Sequence, residues 1–228
     1  MNIEFNTSRL TSPNKTTDRM SITPFSLLIK AVLLILSSLA INAHAQDKSR
    51  EIDIVYAKLV NGMPVEGNLI ATPYATSLGH YGDIAKGKLN ETSDAVGGAA
   101  YEIAIERAGD NPYDAGAFLP IGGEIKKGDV VFVLFFARLL GPEGGDIRQV
   151  GLQLNRAPYT ASFHKRFKIT SDWASYKFAG KAHTDFASDE AQISFQLAAQ
   201  KQNVAIGPVY VLNLGKDVAL KDLPFLKN

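Results

Sequence analysis

Apolar and polar residues alternate in several short segments of this chain, and this alternation constrains the fold more than any other feature. Every second residue is apolar in residues 101–106, 148–155 and 191–197, as in a β-strand that buries one face. Residues 204–214 continue the pattern but are interrupted by Gly207-Pro208, which indicates a bulge or an edge strand. The alternation predicts strands with one face in a core and the other in solvent.

Residues 130–140 form a longer apolar run, VVFVLFFARLL, which predicts an inner strand buried on both faces. A glycine-rich turn at residues 141–146 ends this run. After Gln46 no window of 11 or more residues has a convincing helical period, although residues 182–192 allow a single turn. Many short strands joined by glycine-rich turns predict an all-β fold, either an antiparallel β-sandwich or a jelly roll.

The N-terminal part of the chain has the pattern of a cleavable signal peptide. An apolar stretch at residues 25–40 is followed by Ala43-His44-Ala45, a small-x-small site that predicts cleavage between Ala45 and Gln46. A membrane span needs about 20 apolar residues, and this stretch is interrupted by Lys30. We therefore expect a signal peptide over 1–45, starting at Met1 or more compactly at Met20. A single domain over 46–228 would then be periplasmic or secreted, without stable membrane insertion.

Charge and cysteine content exclude several classes of function. The chain has 24 Lys and Arg against 23 Asp and Glu, a balance that predicts no nucleic-acid partner. It has no cysteine, which excludes disulfides, thiolate metal sites and a cysteine nucleophile.

Motifs of common catalytic sites are also missing. There is no G-x-S-x-G, H-E-x-x-H, Walker or dinucleotide-binding pattern. His80, His164 and His183 each stand alone in polar or turn segments. Glu102 and Glu106 lie on one face of one strand about 13 Å apart, too far for a retaining glycosidase pair. We therefore expect no enzymatic activity from this chain.

The second half of the chain resembles carbohydrate-binding modules of families 4 and 9, which are jelly rolls related to galactose-binding domains. The resemblance rests on segments that occur in the family order. These are NPYD at 111–114, IKKGD at 125–129 leading to FFAR at 135–138, VGLQ at 150–153, TSDWASY at 170–176, QISFQL at 192–197 and VAIGPVY at 204–210. The match covers residues 101–215, and it implies a sandwich that binds a polysaccharide or oligosaccharide.

The family often carries a structural calcium linked to a Phe-Glu pair near the first strand and an Asp in the last. This chain departs from that pattern at both places. Residues 68–72 read NLIAT, and Gly207-Pro208 stands where the Asp would be. The departures argue against a calcium site, although the resemblance itself allows one, and no other cofactor is expected.

Sugar recognition needs aromatic rings for the apolar face of a pyranose and planar polar groups for vicinal hydroxyls. If the strand over 130–140 neighbours the one that follows, its outward side chains converge with those of residues 148–155 on a concave surface. On this basis we expect eight residues to bind carbohydrate. They are Tyr113, Phe136, Arg138, Gln153, Asn155, Tyr159, Gln192 and Gln196.

Trp173, the chain's single tryptophan, is expected to have a structural role near the start of a strand.

The function expected from the sequence is that of an exported, non-catalytic module that binds a polysaccharide or oligosaccharide. Two alternatives remain open. One is a jelly-roll polysaccharide lyase, with Tyr159 as the base and Arg138, Gln153 and Asn155 around a uronate carboxylate. The other is an extracellular matrix or adhesion protein.

Overall fold

The structure is a computed structural model that describes residues 47–224. The signal peptide expected over 1–45, with cleavage after Ala45, lies outside the described residues.

Strands dominate the described part of the chain, and all their pairings are antiparallel. The strands are β1 (Asn68–Leu69), β2 (Gly79–Tyr81), β3 (Ala85–Asn90), β4 (Ala100–Ile105), β5 (Gly116–Ile121), β6 (Val130–Leu139), β7 (Asp146–Leu154), β8 (Ala161–Lys168), β9 (Ala174–Lys181), β10 (Ala191–Gln196) and β11 (Gln202–Asn213). Short 3₁₀ turns lie at Ala75–Ser77, Val96–Gly98 and Leu220–Asp222.

The strands form two sheets. Sheet A has the order β3-β4-β11-β6-β9, with β1 also paired to β11, and sheet B has the order β2-β5-β10-β7-β8. From β4 onward the chain crosses between the sheets at every connection except the β7–β8 hairpin, which is a jelly-roll connectivity. The predicted all-β antiparallel sandwich is confirmed.

The core lies between the inner faces of the two sheets, as the alternation predicted. Ile103 and Ile105 of β4, Val150 and Leu152 of β7, and Ile193 and Phe195 of β10 are all buried there. The Phe135 ring is central, because its centroid lies 5.2 Å from those of Phe167, Tyr176 and Phe195. Aromatic pairs at this spacing stabilise a core beyond the area they bury.

The interruption in the last strand is a bulge. The register of β11 against β6 shifts between Ile206 and Val209, which is where Gly207-Pro208 lies. β11 pairs with both β4 and β6, so it is an inner strand of sheet A and not an edge.

The expectation of no helix after Gln46 is wrong, because residues 47–61 are helical (α1). Ile52 and Leu59 of this helix are buried, and Val55, Tyr56 and Val60 pack beside them at spacings of three and four residues. The helix lies on the outer face of sheet A, where the Tyr210 hydroxyl donates to the carbonyl of Ile52 at 3.0 Å. No helix of residues 47–224 has the length and apolar character needed to cross a bilayer.

Helix α1 explains why β6 has no alternation. Val131, Val133 and Phe135 face the sandwich core. Val130, Phe132 and Leu134 face outward and pack in the cluster that contains α1. The prediction that this strand buries both faces is confirmed, and the helix covers its second face.

Candidate functional site

A groove of about 740 Å³ runs over the outer face of sheet B. The described residues that line it are Tyr81, Tyr113, Phe118, Pro120, Gln153, Asn155, Pro158, Tyr159, Gln192 and Gln196. Six of the eight residues predicted to bind carbohydrate are therefore brought together here.

Strand register places the polar side chains of this groove side by side. On β10, Ile193 and Phe195 point into the core, so Gln192, Ser194 and Gln196 point outward. Gln192 pairs directly with Gln153 of β7, which puts the two side chains next to each other on the outer face.

Ser194 and Gly151, two small residues, form the floor of the groove between the glutamine side chains. Ser194 pairs with Gly151 of β7 on one side and with Phe118 of β5 on the other. A Cβ atom at Gly151 would lie 2.5 Å from the carbonyl oxygen of Phe163, so only glycine fits there. The floor is therefore low at Ser194 and Gly151, with the Phe118 ring on one side and glutamine side chains in the rows above and below.

The side-chain amides of Gln153, Gln192 and Gln196 have no hydrogen-bond partner among residues 47–224. Gln153 and Gln192 are nonetheless only 7% and 8% exposed. Buried polar groups are normally paired, and Gln202 is an example within this chain. Its Oε1 accepts from the Gly145 amide at 3.0 Å, and its Nε2 donates to the Leu197 carbonyl at 2.6 Å. Gln153 and Gln192 are thus nearly buried, Gln196 is partly exposed, and all three are oriented by the sheet and line the groove.

Aromatic rings stand at the rim of the groove. Tyr113 and Tyr159 are 58% and 55% exposed, among the most exposed large hydrophobic side chains of the described residues. Tyr81 lies deeper, with its hydroxyl 3.4 Å from the Ser194 Oγ. Burial raises the pKa of Tyr81 above its usual value, so this hydroxyl stays protonated well beyond neutral pH.

The segment NPYD holds Tyr113 in place. The Asp114 carboxylate accepts from the Asn111 amide at 2.8 Å, and the Asp114 amide donates to the Asn111 carbonyl at 3.1 Å. This Asp-stabilised turn is tied to the loop after β10, because the Ala198 amide donates to the Pro112 carbonyl at 3.1 Å. Tyr113 therefore projects from a fixed turn.

The loop that carries Tyr159 is fixed in a different way. Tyr159 has a φ of 54°, a left-handed conformation that bulky residues rarely adopt. The Asn155 Nδ2 donates to the Asp189 carbonyl at 2.6 Å, and Arg156 forms an ion pair with Glu190 at 2.9 Å. Asn155 thus lines the groove and also ties this loop to the loop before β10.

Phe136 and Arg138 do not reach the groove. The condition for their convergence with β7, that the two strands are neighbours, is not met, because β6 belongs to sheet A and the connection at 141–145 crosses to sheet B. Three glycines with positive φ in that connection make the crossing compact. Phe136 packs in the cluster that contains α1, on the outer face of sheet A.

Arg138 belongs to a small cluster on sheet A. Its Nη1 lies 3.0 Å from the Asp94 carboxylate, and its guanidinium lies 5.1 Å from the centre of the Trp173 ring. The Trp173 indole donates to the other Asp94 oxygen at 2.9 Å, and this bond is the main cause that lowers the pKa of Asp94. Trp173 therefore lies on the sheet opposite the groove.

Sequence reasoning missed four of the groove residues, Tyr81, Phe118, Pro120 and Pro158. Tyr81 belongs to a strand of three residues, which is too short to show alternation. Phe118 and Pro120 belong to β5, whose glycine and proline weaken the strand pattern.

Metal-ligating side chains are not grouped in the described residues. No cluster of three or more His, Asp or Glu side chains that could hold a metal ion occurs in residues 47–224. At the places where the family resemblance allows calcium, Leu69 packs in an apolar cluster and Gly207-Pro208 supplies no carboxylate. The residues present there do not fit a calcium ion.

No protein-family model and no curated protein matches this chain. Among solved structures it is similar to a family 4 carbohydrate-binding module, with 21% identity, a TM-score of 0.48, and 60% of this chain and 94% of the other covered. The N-terminal cellulose-binding domain of Cellulomonas fimi β-1,4-glucanase C has 21% identity and a TM-score of 0.46, covering 68% and 96%.

The CBM22-1 xylan-binding domain of Paenibacillus barcinonensis Xyn10C has 9% identity and a TM-score of 0.45, covering 65% of this chain and 96% of the other. Carbohydrate-binding modules are thus among the solved structures that this chain is similar to, which is the resemblance that its sequence predicted.

Proposed function

We propose that the groove on sheet B binds an uncharged stretch of a polysaccharide or oligosaccharide without cleaving it. The observation that carries this proposal is the set of three glutamine side chains that line the groove without a hydrogen-bond partner among residues 47–224, two of which are less than a tenth exposed. Each amide offers one acceptor and two donors in a plane, which suits the vicinal hydroxyls of a sugar ring. Hydrogen bonds to such preoriented groups need little reordering of the protein on binding.

The rim tyrosines supply the second element of recognition. The apolar faces of pyranose rings pack on exposed aromatic rings, and Tyr113 and Tyr159 offer two such rings on turns held by hydrogen bonds. Asn155 contributes its remaining amide hydrogen and its carbonyl oxygen. Tyr81 and Phe118 form the apolar side of the groove.

The character of the lining favours binding over catalysis. The described lining residues carry no carboxylate, imidazole, ammonium or guanidinium group. A glycosidase needs a pair of carboxyl groups. The lyase alternative needs a cation beside the base within the groove, and its candidate Arg138 lies on the other sheet in an ion pair with Asp94. The proposed role is therefore non-catalytic.

An affinity-gel screen of residues 46–228 against xylan, β-glucan, cellulose, alginate and pectin tests this proposal. We expect retention by at least one glycan, with no release of reducing ends or unsaturated products in the same samples. The variant Gln153→Ala/Gln192→Ala should lose retention, whereas Arg138→Gln should keep it. Retention that depends on Arg138 and not on the glutamines would contradict the proposal, and so would product release.

Export remains part of the proposal on the basis of the sequence. The small-x-small site that ends at Ala45 supports a periplasmic or secreted location for the binding domain. N-terminal sequencing of the mature protein tests this, with Gln46 as the expected first residue. A mature chain that retains residues 25–40 would contradict it.

A further inference from the structure

A cluster of basic side chains lies on the same face of sheet B as the groove. This basic patch consists of Arg148 on β7 and His164, Arg166 and Lys168 on β8, all of them exposed. Ile147 and Phe167, their neighbours in the chain, point into the core. Because side chains alternate along a strand, Arg166 and Lys168 point outward, to the groove side of the sheet. Arg148 lies on the same side, because it binds the same Asp146 carboxylate as Arg166.

The positive charge of this patch is not balanced by the acids around it. Arg166 and Arg148 both bind one carboxylate, that of Asp146, at 2.5 and 3.0 Å. Lys168 pairs with Asp146 in the β-ladder but forms no ion pair with a described residue. Three cations thus share one acid, before any charge on His164 is counted.

Elsewhere in residues 47–224 the ion pairs are one to one. They are Lys86–Glu106, Lys88–Glu102, Lys126–Glu124, Arg138–Asp94, Arg156–Glu190 and Lys201–Glu143. The whole chain is also close to neutral. The group around Asp146 is therefore the one set of ion pairs among residues 47–224 in which two cations share a single acid.

The arginines of the patch are held in fixed orientations. The Asp146 side chain is only 16% exposed, and the two hydrogen bonds from Arg166 are the main cause that lowers its pKa. Asp146 therefore remains charged at neutral pH and anchors both guanidinium groups. The unused donors of those groups, with Lys168, face solvent beside the groove.

The patch adjoins the groove directly. Gln149 pairs with the groove residue Gln196. Arg148 precedes Gln149 where the register of β7 against β8 shifts, between Ile147 and Val150, so the two side chains need not point to opposite faces. His164 pairs with Gly151, the small residue beside Ser194 in the groove floor, and lies two strands from Ser194, a distance of about 10 Å. A glycan that extends from Ser194 over Gly151 would reach His164, which is two residues from Arg166 on β8.

We propose that the basic patch binds an anionic substituent, a carboxylate or sulfate, of the same glycan whose uncharged sugars occupy the groove. This proposal rests on the proposed function of the groove. The neutral lining selects sugar hydroxyls, and the patch adds a charge-dependent preference for chains that carry acidic groups. Arginine suits this role because its planar donors match the geometry of an oxyanion.

The test compares acidic polysaccharides with their own carboxyl-reduced forms, using glucuronoxylan, pectin and alginate. Carboxyl reduction removes the charge and keeps the backbone. For at least one pair we expect both forms to bind, with the acidic form bound about tenfold more tightly at low salt. In about 1 M salt the Debye length is about 3 Å, so the difference should disappear.

The variant Arg148→Gln/Lys168→Gln keeps the Arg166–Asp146 pair and should bind both forms as weakly as the reduced form. The control Lys86→Gln/Lys88→Gln makes the same change in charge on sheet A and should keep the preference.

Equal binding of both forms in every pair that binds would overturn the basic-patch proposal and leave the groove proposal intact. Failure of all forms to bind would overturn both. Unchanged binding of an acidic form to Gln153→Ala/Gln192→Ala would show that the patch acts without the groove, and would contradict the proposed link.

Discussion

The outer faces of the two sheets differ in how their side chains are partnered. On sheet A, α1 covers the apolar end, and ion pairs such as Arg138–Asp94 and Lys88–Glu102 occupy the other end. On the groove face of sheet B, the amides of Gln153, Gln192 and Gln196 have no partner among the described residues. Both faces derive from the same alternation of residues along strands. Polarity alone therefore does not distinguish the two faces, whereas three neighbouring glutamine side chains without a protein partner do.

The helix cover of sheet A should dominate stability. Leu59→Ala should lower the free energy of unfolding by about 2–5 kcal/mol, because the side chain is 5% exposed against β6 and β11. Urea denaturation measures this, with the exposed Lys58→Ala on the same helix as the control. Glycan affinity of the folded variant should be unchanged. A loss below about 0.5 kcal/mol would mean that α1 is not part of the folded unit.

Gln202 and the groove glutamines form a matched pair of tests. Gln202→Ala removes two buried hydrogen bonds and leaves the Gly145 amide and the Leu197 carbonyl unpaired. We expect a loss of about 2–3 kcal/mol in stability and no loss of glycan binding once folded. Thermal unfolding and calorimetric titration measure the two effects. A stable Gln202→Ala protein would show that its hydrogen bonds contribute little to the fold.

The reverse result is expected for the groove. Gln153→Ala/Gln192→Ala should weaken glycan binding by about 1–3 kcal/mol, because each side chain contributes hydrogen bonds of ordinary strength. Its stability should change by less than about 1 kcal/mol, since no protein hydrogen bond is lost. The same titration and unfolding measurements apply. A large loss of stability with unchanged affinity would make these side chains structural, like Gln202.

Tyr113 tests the contribution of the rim. Tyr113→Ala should cost about 1–2 kcal/mol of binding free energy, with little change in melting temperature, because the side chain is mostly exposed. Tyr113→Phe keeps the ring and should retain most of the affinity. If both variants bind like the wild type, the ring does not stack on the ligand.

The smallest effect concerns pH. Among the described residues that line the groove, the only titratable groups are tyrosines, and burial raises the pKa of Tyr81. Affinity for an uncharged glycan should therefore stay constant between about pH 5 and pH 9. Titrations across this range measure it. A bell-shaped dependence would indicate an acid–base pair at the site and would favour the lyase alternative.

Alternation made the main strands predictable because β4, β7 and β10 each bury one face against the other sheet. The helix was missed although Ile52, Val55, Tyr56 and Leu59 have helical spacing. The unbroken apolar run of β6 also indicated that some further element covers the sheet, since an antiparallel strand buried on both faces needs a second covering layer.

The sequence also predicted most of the groove, because outward positions of β7 and β10 follow from the inward ones. It could not place Arg138, since strands that follow each other in the chain need not share a sheet. Nor did it find Phe118 and Pro120 of β5. Pro120 fits in that strand because β2 pairs only with residues 116–118, so the proline needs no donor on that side.

The most direct test of the account is a titration with a bound oligosaccharide followed by ¹⁵N–¹H NMR spectra. We predict that the side-chain amide signals of Gln153, Gln192 and Gln196 shift, while the indole signal of Trp173 stays in place. Trp173 is the only tryptophan and lies on sheet A, so it reports on the opposite face without any mutation. A shifted Trp173 indole with unmoved glutamine amides would place the ligand on sheet A and contradict the account.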